Sequence, residues 1–364
     1  MPDAKVAAYD LVLVGFGHVG RRFGRLLGEQ RDRLAREHRL ACRVIGIATR
    51  NHGAAIDRRG LDLDLAIDAV EHGRSLTALH AAHEGRAPTD GRGLLEQLGH
   101  CREAPPRVVV ETTLLDVETG QPAIDHVRSA IDAGAHVVTA NKGPAAFAYR
   151  QLRDRAAGAG VMFLTEGAVL DGIPVLNLVR ETLPTVRIDG FRGIVNSTTN
   201  HVLTALENGA SAVEALAAMQ AQGIAEADAS LDTDGWDAAA KTAVLINVLM
   251  DGRATPQTIA RTGIADVSTE EAQAARRRGR RIKLVASAER RGNVVRGSVA
   301  PTELAANDPL AGLDGQANAV VFRTDLLGEI MIAELDGGLT QTAFALLADL
   351  VTIRRAARTA AATL

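Results

Sequence analysis

Val14-Gly15-Phe16-Gly17-His18-Val19-Gly20 is the stretch that decides how this chain folds. It follows a short apolar run, Leu11 to Val14, and opens a segment in which Val19, Phe23, Leu26 and Leu27 recur at helical spacing. A G-x-G-x-x-G pattern between a strand and a helix has a definite physical reading. Gly15 permits a tight turn, Gly17 lets the backbone approach a pyrophosphate, and Gly20 lets helix and strand pack closely. The helix N-terminus then offers unpaired N–H groups and its dipole to an anion. Gly15, Phe16, Gly17, His18, Val19 and Gly20 are therefore the expected dinucleotide contacts. The competing reading is a glycine turn with a structural role only.

Outward from this loop, Val44–Ala48, Val108–Val110 and Val137–Thr139 read as further buried strands. A helical pattern through Ile124, Val127 and Ile131 runs to Gly134. Strands alternating with helices predict a parallel, Rossmann-type sheet that binds ligands at the strands' carboxyl ends. The polar residues fall at those ends: Arg50, then Thr112 and Thr113, then Asn141-Lys142. The second strand ends Ala48-Thr49-Arg50-Asn51-His52 with no acid, and an arginine there suits the 2′-phosphate of NADP. NADP through Arg50 is the expectation, with NAD as the alternative and a plain surface arginine as the bland reading. Between Gly53 and Pro106 we expect small helices decorating this sheet. From Val161 the texture changes, with strands at 161–165 and 188–195 and Ala-rich helices at 201–222 and 236–250. The fold class is thus α/β, a Rossmann dinucleotide-binding domain (1–155) followed by an α+β catalytic and dimerisation domain (156–339). A C-terminal helix, 340–364, is expected to pack back on the first.

The bulk composition excludes several classes. Of 364 residues, 46% are hydrophobic and 23% charged, and the net charge of -3 offers no basic field for nucleic acid or an anionic membrane. Aromatics at 3% leave no stacking platform for single strands. Cys42 and Cys101 make neither a disulfide framework nor a metal spacing, so a reducing cytoplasm is expected. The N-terminal apolar run is too short for a signal peptide or a membrane span. Of 41 basic residues only Lys5, Lys142, Lys241 and Lys283 are lysines. A lysine kept in an arginine-rich chain marks places where a deprotonatable amine is needed, or is chance survival at the surface.

Three motifs follow the glycine loop: Thr139-Ala140-Asn141-Lys142, Gly193-Ile194-Val195-Asn196-Ser197-Thr198-Thr199-Asn200, and Gly223-Ile224-Ala225-Glu226-Ala227-Asp228, continued by Asp232 and by Gly235-Trp236-Asp237-Ala238-Ala239-Ala240-Lys241. Asp237 and Lys241 lie i and i+4 on one helix face. Glu226, Asp228, Asp232 and Asp234 crowd the loop before it. Such carboxylates suit a substrate ammonium group, and a partly buried Lys241 suits proton exchange with a reacting oxygen. An ordinary helix-face ion pair is the alternative.

In order and spacing these motifs resemble the T-A-N-K, G-I-x-N-G-T-T-N and G-x-x-E-x-D-P … D … G-x-D-x-x-x-K segments of homoserine dehydrogenases, across nearly the whole chain. The resemblance implies an NAD(P)-dependent enzyme of amino-acid biosynthesis, toward threonine and methionine, that interconverts aspartate semialdehyde and homoserine. Lys241 would be the acid/base, with Lys142 and Asp237 beside it. Glu226, Asp232, Asp237 and Thr198 would hold the substrate, and Thr112, Thr113, Lys142 and Gly338 would meet the cofactor. It also implies a homodimer and a structural sodium ion on the loop from Glu166, with Glu166, Val169, Asp171 and Ile173 as ligands. No regulatory ACT domain is expected after residue 364.

The chain departs from the family pattern in four places. Leu170-Asp171 stands where a glycine-rich pair is usual, Ser197 replaces a glycine, and Ala229 replaces a proline. The C-terminal G-x-G-A-G becomes Glu334-Leu335-Asp336-Gly337-Gly338. The competing readings are a related dehydrogenase of another small hydroxy or amino acid, and a non-catalytic NAD(P)-binding protein.

Overall fold

The computed structural model describes residues 6–100, 105–221 and 229–363. Strand β1 (Ala7–Val14), buried from Tyr9 onward, delivers the chain to the glycine turn and α1 (His18–Glu29). Helix α2 (Arg31–His38) returns to β2 (Leu40–Ala48), which pairs parallel with β1. A strand not expected from the sequence, β3 (Ala54–Ile56), turns back antiparallel on β2. Three residues are too few to show a period. After α3 (Leu63–Glu71) and α4 (Gly91–Leu98) come β4 (Arg107–Glu111), α5 (Ala123–Asp132), β5 (His136–Thr139), α6 (Lys142–Gly158) and β6 (Phe163–Leu164). The sheet order is β3-β2-β1-β4-β5-β6. The expected strand at 161–165 shrinks to β6, which pairs parallel with β5. The first sheet therefore runs past residue 155, where the sequence reading ended the domain.

The rest of the chain builds a second sheet. Helix α7 (Val175–Thr182) precedes β7 (Ile188–Ile194), α8 (Ser197–Glu207), α9 (Ala212–Ala221), α10 (Ser230–Thr233) and α11 (Trp236–Leu249). The long helix expected at 201–222 is two helices, α8 and α9, parted at Gly209, whose φ of +94° a helix cannot carry. Then come β8 (Ala260–Arg261), α12 (Thr269–Arg277), β9 (Arg280–Arg291), β10 (Val294–Ala305), β11 (Asn318–Thr324), β12 (Glu329–Glu334) and α13 (Leu339–Thr363). The order is β12-β11-β7-β9-β10-β8. Helix α13 crosses back to the first sheet, where Leu346, Leu347, Leu350 and Ile353 join the apolar layer beneath α1 and α3. Among the described residues no helix is long and apolar enough to cross a membrane.

Two buried polar links join the sheets' layers. On α11, Asn247 Nδ2 donates to the carbonyls of Ala145 (3.1 Å), Ala146 (3.1 Å) and Ala254 (2.8 Å), and its Oδ1 accepts from Ala254 N–H at 2.7 Å. The amide is satisfied on both ends, so it fixes α11 against the first turns of α6. On α13, Asp349 accepts from the Glu166 N–H (3.0 Å) and from Asn177 Nδ2 (3.1 Å). The Glu166 carboxylate in turn accepts from the N–H groups of Leu176 (2.9 Å) and Asn177 (2.5 Å) at the start of α7.

Burial, together with the Asp349 charge, pushes Glu166 up to about 7, and burial pushes Asp349 up to about 6. In the folded protein both groups bind protons more tightly than in the unfolded chain. Their contribution to stability is therefore full below about pH 4 and is lost as pH rises through 6 to 7. Asp349→Asn is expected to flatten the fall of the unfolding midpoint across that window by several degrees, as thermal melts at pH 4.5, 5.5, 6.5 and 7.5 would show.

Candidate active site

The glycine turn has the geometry its sequence requires. Gly15 sits at φ +93°, and a Cβ there would lie 2.5 Å from the Thr112 carbonyl carbon. A Cβ on Gly20 would lie 2.8 Å from the Gly15 carbonyl oxygen. A Cβ on Gly17 would meet nothing within 4 Å. The turn is thus closed by backbone on the Gly15 and Gly20 sides and open in front of Gly17, at the N-terminus of α1. Among the described residues no side chain caps that end, which leaves its first N–H groups without a side-chain partner. Thr112 Oγ1 closes the turn from β4, donating to the Gly15 carbonyl at 2.8 Å. His18 is exposed and Val19 half-buried, whereas the Phe16 side chain is in the core, packed against Gly24. Phe16 is left only its backbone for a ligand. Arg50 is exposed just beyond the end of β2.

The next two strand ends are tied together by an asparagine. Asn141 caps α6 by accepting the Gly143 N–H (2.8 Å), and its Nδ2 donates to the carbonyls of Thr113 (3.0 Å) and Leu114 (3.1 Å). Thr113 also hydrogen-bonds the buried Glu111 carboxylate. The cap starts α6 with Lys142 in its first turn, turned toward the second sheet's helices.

Asp237 bridges the two lysines. Its Oδ1 lies 3.2 Å from Lys142 Nζ and its Oδ2 3.0 Å from Lys241 Nζ. Lys241 is buried and also donates to the Val195 carbonyl at 2.8 Å. Asn196 caps α8 through Oδ1, which accepts the Thr199 N–H at 2.8 Å. The cap aims Nδ2 at Asp232 (2.7 Å) and Asp237 (2.9 Å). Thr198 hydrogen-bonds Asp232 as well. Gly235, at φ +80°, makes the turn that launches α11 and sets Asp237 and Lys241 on its site-facing side.

The charges follow from this packing. Burial works against the Lys241 ammonium, but Asp237, Asp171 and Asp232 outweigh it and hold its pKa above the ordinary lysine value. Burial also opposes charge on Asp237, and the two lysines with the Asn196 amide overcome it, leaving that carboxyl well below the usual range. Asp232 is shifted the other way, raised by burial and by the Asp237 charge. An ammonium has three N–H donors, and among the described residues Lys241 spends two. One remains for a ligand oxygen.

Glu166, Val169 and Ile173 are buried in the loop that leads to α7, and Asp171 is half-buried. The Glu166 carbonyl accepts a long bond from Val169 N–H (3.4 Å), and that of Ile173 accepts from Val175 N–H (2.8 Å). Among the described residues nothing donates to the carbonyls of Val169 or Asp171. Gly338 is exposed before the first turn of α13 and accepts from the Thr342 N–H. Its neighbour Gly337, not Gly338, faces the Asp171 carboxylate. Glu226 and Asp228 lie outside the described residues.

Asn196 was quoted within a motif but not singled out, and its cap position before Ser197 was the available signal. Asn318 and Glu334 also reach this site, at Ser197 and Asp171, brought there by strand pairing that no local pattern announces.

The chain matches a family model described as homoserine dehydrogenase over residues 174–351, and one described as homoserine dehydrogenase, NAD binding domain, over residues 15–166. It is 35% identical over 352 residues to the NAD(+)-dependent homoserine dehydrogenase of Pseudomonas canavaninivorans, covering 96% of this chain and 97% of that protein. A homoserine dehydrogenase of Methanocaldococcus jannaschii is 34% identical over 345 residues, covering 94% and 98%. Of solved structures, a putative homoserine dehydrogenase from Archaeoglobus fulgidus superposes with a TM-score of 0.80 at 28% identity, covering 95% of this chain and 99% of that one.

Proposed function

The chain belongs to the homoserine dehydrogenase family, and on that premise we propose how its residues carry the reaction. It is an NAD(P)-dependent oxidoreductase acting on a CH–OH group, the hydroxyl of L-homoserine, with L-aspartate 4-semialdehyde as the oxidised partner. The residues around the glycine turn fit such a cofactor. The space in front of Gly17 would admit a pyrophosphate to the N-terminus of α1, with Gly15, Phe16, His18, Val19 and Gly20 supplying the surrounding backbone and Thr112, Thr113 and Lys142 beyond it. When bound, the cofactor supplies or accepts the hydride.

The observation that carries the assignment of roles is Lys241, a buried ammonium with one donor to spare. In reduction Lys241 gives its proton to the oxygen of the semialdehyde carbonyl as that oxygen gains charge. In oxidation the neutral amine takes the hydroxyl proton back. Asp237 holds Lys241 and Lys142 at fixed positions around one carboxylate, which orients the acid and brings a second cation near the same oxygen. Asp232, fastened by Asn196 and Thr198, would hold the polar end of the substrate together with Glu226. The test is reduction of NADP⁺ and NAD⁺ at 340 nm by the purified protein with L-homoserine, beside other small hydroxy acids. Turnover confined to homoserine supports the reading, and turnover only with another hydroxy acid would sink it.

For the cofactor's ribose, the exposed Arg50 and the lack of any acid from Ala48 to His52 favour the 2′-phosphate of NADP. Arg50→Ala is expected to lower kcat/KM for NADP⁺ about tenfold, within the range of a lost charge-assisted bond, and to leave NAD⁺ within twofold. An unchanged NADP⁺/NAD⁺ ratio would remove Arg50 from the cofactor site.

The loop from Glu166 offers the free carbonyls of Val169 and Asp171, with those of Glu166 and Ile173 nearby, a donor set that suits a sodium ion. The ion would stiffen the loop and take no part in proton transfer. A homodimer in the cytoplasm, serving threonine and methionine biosynthesis, completes the proposal.

A further inference from the structure

Strand β4 ends on an acid that its surroundings do not invite. Val108, Val109 and Val110 are buried, and Glu111 after them has no exposed surface either. A buried carboxylate is costly unless donors surround it, and here they come from the ends of two strands. Thr113 Oγ1 and the Thr113 N–H (3.2 Å) both donate to Oε1. Thr139, the register partner of Glu111 on β5, places Oγ1 3.1 Å from Oε2 and 3.0 Å from the Glu111 carbonyl. His126 Nδ1 lies 3.6 Å from Oε1, too far for a hydrogen bond, so among the described residues the close contacts are with the two threonines.

These contacts set the direction of every bond beyond them. A hydroxyl has one proton to give and two lone pairs to accept with. The Thr113 and Thr139 protons are both spent on Glu111, which leaves their oxygens as acceptors. Asn141 uses both, donating its N–H to Thr139 Oγ1 (2.9 Å) and its Nδ2 to Thr113 Oγ1 (3.2 Å). With Nδ2 turned that way, Oδ1 is left to cap the Gly143 N–H. Helix α6 then starts where Lys142 Nζ stands 3.2 Å from Asp237 Oδ1. The acid at the end of β4 is thus linked, through Thr113, Thr139 and Asn141, to the carboxylate that Lys142 and Lys241 share.

We propose that Glu111 is a positioning residue for the reaction: through Thr113, Thr139 and Asn141 it holds Lys142 where Asp237 can share it with Lys241. The inference rests on the homoserine reading above, in which Lys142 brings a second cation near the reacting oxygen. A misplacement of about 1 Å at such a group can cost roughly 10²-fold in rate, so this buried clasp bears directly on turnover.

The chain's only lysines are Lys5, Lys142, Lys241 and Lys283, so isotope labelling of lysine alone gives side-chain NMR signals few enough to assign. Glu111→Leu, which removes both side-chain acceptors, is compared with Glu111→Gln and Thr139→Val. In the unliganded Leu and Val variants the Lys142 and Lys241 signals are expected to move, while that of Lys283, buried elsewhere, stays. In Glu111→Leu, kcat for homoserine oxidation is expected to fall roughly 10- to 100-fold with KM for homoserine within about threefold. Glu111→Gln should recover kcat to within about threefold of wild type, because its amide oxygen can accept from Thr113 while its NH₂ donates to Thr139 Oγ1. In a Lys142→Met background Thr139→Val should cost no more than about twofold, the non-additivity of residues that act through one group. Thr139→Val is nearly isosteric and decides the matter alone if Glu111→Leu does not fold. Unmoved Lys142 and Lys241 signals overturn the proposal, as does a Gln variant as impaired as the Leu variant. An equal loss with and without Lys142 also overturns it. So does a shifted Lys283 signal with a lowered unfolding midpoint, which marks general loosening. Wild type that does not oxidise homoserine refutes the function, whereas the lysine signals still decide whether Glu111 holds Lys142.

Discussion

Lys241→Met is expected to lower kcat with homoserine by about 10²- to 10⁴-fold, the usual range for removing a positioned acid/base. Methionine keeps most of the length of the buried stem but offers no proton. The amine lies 2.8 Å from the Val195 carbonyl and 3.0 Å from Asp237, far in sequence from the glycine turn, so NADPH affinity should stay within a few-fold of wild type. The pH profile gives an independent signature. Because the neighbouring carboxylates hold the Lys241 pKa above its ordinary value, the side chain carries its proton at neutral pH, ready for reduction. Oxidation needs the neutral amine and should rise toward alkaline pH, while reduction should fall only above that pKa. In Lys241→Met both slopes should vanish together with the rate. If kcat is retained, the proton moves by another route and the assignment fails.

Asp237→Asn is the second large effect. The carboxylate lies between two ammonium groups, and Asn keeps its shape while removing its charge. Lys142 and Lys241 would then face each other without their shared counterion. The cost of leaving such a buried charge unpaired is about 3 kcal/mol or more, which should lower the unfolding midpoint by several degrees. Burial and the Lys142 charge would pull the Lys241 pKa down, so the alkaline limb of homoserine oxidation should move to lower pH. Oxidation at its optimum should fall by roughly 10²-fold as the amine loses its fixed orientation. A pH limb that does not move would show that Asp237 holds the lysines in place without setting their charge.

Much of this site was legible in the sequence because its parts are local. The glycine turn shows in seven residues, and the Asp237–Lys241 pair shows in the i,i+4 spacing. The lysine census singled out Lys142 and Lys241, which meet at one carboxylate. It said less about Lys283, which is fully buried against Asn200 Oδ1 (3.0 Å) and the Leu313 carbonyl (2.5 Å), holding α8 to the segment before β11. What stayed hidden depends on contacts distant in sequence. Asn318 and Glu334 become neighbours only when β11 and β12 pair. Asp349 reaches Glu166 from 183 positions away. Leu170-Asp171 read as a departure from a glycine-rich pair, and the structure adds what no local pattern shows: both residues hold the left-handed conformation that glycine adopts without strain.

The return of α13 to the first sheet has a consequence for how this chain can be recut. The cofactor-binding unit is written in two pieces, one at each end of the chain, with the second unit inserted between them like a bracketed clause. Splicing in a relative's front half alone would leave Leu346, Leu350 and Ile353 against a foreign surface, and the Asn247 amide would face a foreign α6 backbone. A viable chimaera must exchange both outer pieces together and keep α6 matched to α11.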